Sequence, residues 1–145
     1  MKKERKIIIC TIIITLLLDQ ITKIIALKTG NNIQNNNTSN NASYIIITIF
    51  AIIMLARYIL NDNQFIKTDI KIILSLAISG AIGNLIDKIW NHNVILFINL
   101  GKNIELNLAY IYILIAWVGI AIILTKNTGK IIKNKKGIKN ENNSK

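Results

Sequence analysis

Proline is missing from this chain of 145 residues, cysteine and histidine occur once each, and only 7 acidic residues face 18 lysines and arginines. A single cysteine, Cys10, leaves no disulfide framework and no CxxC metal motif. Cys10 follows Ile7-Ile8-Ile9 rather than the small residues of a cleavage site, so it reads as a small lipid-facing residue and not as a lipid-modified one. His92 lies in an Asn-His-Asn turn with no second His or Cys nearby, so no metal site is expected, and nothing implies a cofactor. The shortage of acid leaves a net charge of +11, which alone could suggest nucleic acid. Its placement argues against that partner. The basic residues flank apolar blocks or fill the two termini, as expected for contact with lipid headgroups or for fixing topology.

Isoleucine, asparagine and lysine dominate what is present, and 52% of the residues are hydrophobic, with a mean hydropathy of +0.44. The runs Asn31 to Asn37 and Lys133 to Lys145 are low-complexity and read as linker and tail. The apolar residues fall into four long blocks, about 7–27, 44–60, 70–90 and 106–124. Each is close to the roughly 20 residues that cross a hydrocarbon core about 30 Å thick. Backbone groups in lipid must be satisfied internally, so these blocks are expected to be helices. The first has a positive flank but no small-x-small cleavage site, which favours a retained span over a signal peptide.

Lysine and arginine set the orientation. Lys2, Lys3, Arg5 and Lys6 precede the first span, seven basic residues follow Leu124, and Arg57, Lys67 and Lys71 mark the middle connection. The positive-inside rule then puts both termini and that connection in the cytoplasm. The expected fold is an all-α integral membrane protein, a four-transmembrane-helix bundle, N-in/C-in, with short extracytoplasmic connections. It forms a single membrane domain over 1–145, with 126–145 as a basic, disordered cytoplasmic tail, and the lipid bilayer is its first partner.

Ionisable residues within spans are costly and mark function unless they are paired. Asp19 and Lys23 are four apart on one helix face and can pair. Ser75, Ser79, Gly83 and Asp87 repeat every fourth residue, with Gly80 and Asn84 beside them. Small residues let helices approach, but packing needs no carboxylate at the end of the stripe, so Asn84 and Asp87 are read as lining a polar site. At about 1.5 Å per residue, Asp87 lies roughly 25 Å from the cytoplasmic end of its span, and Asp19 and Lys23 some 18–24 Å along theirs. Asn107 and Tyr110 open the fourth span from outside, so all these residues converge near the outer leaflet.

Asp19-Gln20-Ile21-Thr22-Lys23 resembles the DQxTK motif of lipoprotein signal peptidase (signal peptidase II). Gly80-Ala81-Ile82-Gly83-Asn84-Leu85-Ile86-Asp87-Lys88 resembles that family's GGxxGNxxDR motif, and Asn107-Leu108-Ala109-Tyr110 sits where it has NxAD. Such a resemblance implies an aspartic endopeptidase of the bacterial inner membrane. Its partners would be diacylglyceryl-modified prolipoproteins, whose signal peptides it removes with two carboxylates that activate a water. It implies Asp87 as one catalytic carboxylate, Asn84 and Asn107 as orienting groups, Asp19 and Lys23 as supports, and Lys88 in the place of an arginine.

Besides Lys88, three departures bear on activity. Tyr110 stands where the family has its second aspartate, and a phenol with a reference pKa near 10 makes a poor general base. Val94-Ile95-Leu96-Phe97 matches a VxDF-like motif without its aspartate, and Ser39 to Tyr44 is all that corresponds to an NxGxxF segment. Glu105 could substitute, but on a helix it would face some 140° away from Tyr110. The alternative is therefore a catalytically inactive homologue that at most binds lipidated signal peptides. A generic small membrane protein, such as a transporter subunit, needs none of the ordered motifs.

Overall fold

The computed structural model describes residues 2–31, 41–60, 67–102 and 104–142, without the side chains of 2, 41 and 127–142. Four helices carry the architecture: α1 (Lys2–Thr29), α2 (Asn41–Leu60), α3 (Thr68–Trp90) and α4 (Leu108–Asn142). Each contains a segment long and apolar enough to cross a membrane: Lys3–Thr29, Ala42–Leu60, Thr68–Trp90 and Leu108–Lys126. Large apolar side chains stay on the outside, as lipid rather than water surrounds the bundle: Ile13, Leu17, Ile21, Phe50, Met54, Trp117 and Val118 are all exposed. Thr11, Thr15, Thr22 and Thr29 each return their hydroxyl to the carbonyl four residues back, so these polar groups of α1 are not left facing hydrocarbon alone.

Local chemistry sets the ends. Gly30 takes a left-handed conformation (φ 70°), Asn31 N–H bonds Ala26 O at 3.0 Å, and α1 closes in a Schellman turn. Asn91 N–H bonds Asp87 O at 2.7 Å, His92 turns left-handed (φ 60°), and the chain leaves α3. Between α3 and α4 lies a small hairpin, β1 (Ile98–Asn99) and β2 (Glu105–Leu106), paired antiparallel with Ile98 opposite Leu106. Gly101 and Lys102, both with positive φ, make its turn.

Helix α3 is the hub, packed against α1, α2 and α4. The interior divides in two along it. Toward the N-terminal half of α3 a wholly apolar cluster forms from Ile8, Ile59, Leu74 and Ile78. Lys71 and Ser75 are buried in that half too, but the buried polar side chains gather toward the C-terminal half, where Ser79, Asn84 and Asp87 of α3 face Asp19 and Lys23 of α1 and Asn107 before α4.

One boundary near the site differs from the sequence reading. The fourth helix begins at Leu108 rather than 106, because Leu106 is committed to the hairpin ladder and Asn107 is the residue that caps the helix. At the other end the membrane-crossing segment closes at Lys126, near the expected limit at 124, and helical backbone continues to Asn142. Residues 32–37 of the linker and Ser39-Asn40 of the NxGxxF-like segment fall outside the described residues.

Candidate functional site

Lys23 is the centre of the polar half. Its Nζ lies 2.6 Å from Asp19 Oδ2 and 2.7 Å from Asp87 Oδ2, and donates to Asn84 Oδ1 at 3.2 Å. All four side chains are at most 1% exposed. Two buried carboxylates share one ammonium, an arrangement stable only where further hydrogen bonds complete both anions. They do. Asp19 Oδ1 accepts the backbone N–H of Ala109 at 2.8 Å, in the first turn of α4, where the unpaired amides and the helix dipole favour an anion. Asp87 Oδ2 also accepts the N–H of Ile95 at 3.2 Å.

Asn107 ties the hairpin to this centre. Its Nδ2 donates to Asn84 Oδ1 at 2.8 Å and to Ile95 O at 2.9 Å, while its Oδ1 caps α4 by accepting Tyr110 N–H at 2.9 Å. Thus Ile95 is held from both sides, its N–H by Asp87 and its carbonyl by Asn107. Asn84 Nδ2 is buried without a hydrogen-bond partner among the described residues.

Glycine makes this approach possible. A Cβ on Gly83 would collide with Asp19 Oδ2, and one on Gly80 with the backbone carbonyl of Ala109. Gln20 Nε2 crosses the same gap to Gly83 O at 3.3 Å, and Thr15 Oγ1 bonds Ser79 Oγ at 2.6 Å. Neither Gln20 beyond its motif nor the Ile95 backbone was singled out from the sequence. Their contribution is a main-chain contact, which residue type does not advertise.

The structure therefore brings Asp19, Lys23, Asn84, Asp87 and Asn107 into one network, across helices far apart in sequence. Lys88 stays outside it: buried on another face of α3, its ammonium sits 5.6 Å from the Tyr44 ring centroid, a cation–π contact with α2. Tyr110, half-buried, is an electrostatic neighbour of Asp87, as is Tyr44.

A cavity of about 470 Å³ opens on the other side of the hairpin and α4. Leu96, Glu105 and Tyr110 all line it, together with Leu106, Leu114 and Trp117. The expectation that Glu105 faces away from Tyr110 assumed a helix at 105. Glu105 is on β2 instead, and strand geometry turns it onto the cavity that Tyr110 lines.

The family described as Signal peptidase (SPase) II matches residues 29–126. Two solved structures of bacterial membrane enzymes, both obtained by the in meso method, are similar in fold. One, at 1.9 Å, has a TM-score of 0.71 at 26% identity over 81% of this chain and 91% of its own. The other, at 2.3 Å, has a TM-score of 0.70 at 24% identity over 85% and 90% respectively. No curated protein sequence matches the chain.

Proposed function

The chain belongs to the signal peptidase II family, and from that membership we propose that it is a binding member: it holds diacylglyceryl-modified signal peptides in the bacterial cytoplasmic membrane without the carboxylate pair that cuts them. One observation carries this reading. Of the four positions where the family motifs place aspartates, 19, 87, 96 and 110, the last two are Leu96 and Tyr110, which line the same cavity without supplying a carboxylate. A dyad works because two close acids split their roles, one ionised as base and one protonated as acid. A buried leucine and a phenol offer neither half at neutral pH.

The resemblance implied Asp87 as one catalytic carboxylate; we propose instead that it is a positioning residue, because its contacts tie it to Lys23 and to the backbone beside Leu96. Its Oδ2 is occupied by Lys23 and by Ile95 N–H, one residue from Leu96. Asn107 positions the other side, by capping the turn that carries Tyr110. The motif residues together thus hold positions 96 and 110 on one cavity, whose mainly apolar wall supports the binding of an apolar peptide segment. Glu105 on the same wall supports a second reading, a residual peptidase in which that carboxylate stands in for the aspartate missing at position 110.

Processing of a diacylglyceryl-modified prolipoprotein by the purified protein in detergent separates the two. The expected result is no cleavage by the unmodified protein or by Tyr110→Asp alone, measurable cleavage by the Leu96→Asp/Tyr110→Asp double variant, and retention of the lipidated precursor by all three. Cleavage by the unmodified protein that disappears in Glu105→Gln would establish the residual peptidase instead.

A further inference from the structure

At the opposite end of the bundle, an apolar cavity of about 360 Å³ lies between α2, α3 and α4. Leu55 and Tyr58 of α2, Ile70 and Leu74 of α3, and Ile120 and Ile123 of α4 line it. Among the described residues on that wall, the phenol of Tyr58 is the sole polar side-chain group. The polar network around Lys23 does not reach it, so it plays no part in the reading above.

Cations predominate around its rim. Lys67 is the N-cap of α3, three residues before Ile70 and so below it on the same helix face. Lys126 follows Ile123 by three residues on α4, and Arg57 adjoins Tyr58 in the last turn of α2. All three are exposed. Asp69 in the first turn of α3, also exposed, is the acidic residue described beside them, so the three exposed cations outnumber it by two. Lysine and arginine placement assigns this end to the cytoplasmic surface.

We propose that this groove holds an anionic phospholipid of the cytoplasmic leaflet, with an acyl chain along Leu55, Leu74 and Ile120 and the phosphate at Lys67 and Lys126. An apolar groove at membrane depth meets acyl chains before any other ligand, and the cations stand where a headgroup would come to rest. The groove supplies retention and the rim supplies selectivity, since each lysine near a lipid surface favours an anionic headgroup roughly fivefold.

Native mass spectrometry of the purified full-length protein tests this with phosphatidylglycerol and phosphatidylcholine of identical chains. The unmodified protein should retain phosphatidylglycerol at least tenfold better than phosphatidylcholine. Lys67→Gln/Lys126→Gln should bring the two within about twofold, while Ile120→Phe and Ile123→Phe, which fill the groove, should lower retention of both. Equal retention of the two lipids by the unmodified protein would overturn the proposal. So would a preference that survives loss of both lysines, or retention untouched by filling, which would mean a diffuse surface attraction. The charge variants change exposed positions only, and decide the matter alone if a filled variant does not fold.

Discussion

Lys23 touches three acceptors on two helices, and no other described side chain balances Asp19 and Asp87 together. Removing one member of a buried ionic cluster leaves uncompensated charge, a cost of about 3–5 kcal/mol. Lys23→Met should therefore lower stability by that order in thermal or denaturant unfolding in detergent. A double replacement, Lys23→Met with Asp87→Asn, should lose less than the sum of the two single changes, because Asp87→Asn removes one of the two carboxylates that loss of Lys23 strands. Strict additivity would mean that the two residues do not share the network. Asn107→Ala is expected to cost at least the ~1 kcal/mol of a helix cap, and more because Asn84 and Ile95 O lose their donor. That Asp19, Lys23, Asn84 and Asp87 belong together was legible from helical spacing and from the expense of charge within a span. Which atoms they satisfy was not: Ala109 N–H and Ile95 N–H are backbone groups, and any residue type offers them.

At the scale of elements, the contact between α3 and its neighbours depends on where α3 lacks side chains. Gly80 faces the Ala109 carbonyl, which a helix cannot withdraw without moving its first turn. Gly119 of α4 faces only the Ile73 side chain, whose Cδ1 would lie 3.1 Å from an added methyl and can rotate aside. Gly80→Ala is thus predicted to destabilise clearly more than Gly119→Ala, read as the difference between their unfolding midpoints. Equal effects would show that α4 can shift away at little cost. The Ser75–Asp87 stripe announced a close helix contact, and the four spans followed from hydropathy alone. The hairpin did not. Its strands are two residues each, too short for alternation to register, and the apolar Leu106 read as the start of α4. That single misplacement rotated Glu105 away from Tyr110, so the shared cavity could be found only after the hairpin was seen.

For the whole molecule, charge asymmetry predicts a single orientation. In a Cys10→Ser background, a cysteine in place of Lys102 should react with a membrane-impermeant maleimide added to intact cells, and one in place of Lys67 only after permeabilisation. The reverse pattern would invert the bundle and place the basic groove rim outside. The division of the interior is consistent with this arrangement: the apolar cluster lies toward the lysine-rich end, and the buried ions toward the hairpin.

The shared ammonium also has a bearing on biogenesis. Asp19 and Lys23 travel on one helix and neutralise each other as α1 enters the bilayer, so that segment carries its own compensation. The carboxylate of α3 draws its counter-ion from a helix synthesised earlier, more than sixty residues upstream. A translocon that released α1 into bulk lipid would deprive α3 of the partner that makes its insertion affordable. The order of synthesis thus makes the counter-ion available first, and α3 is expected to insert more readily with α1 beside it than alone.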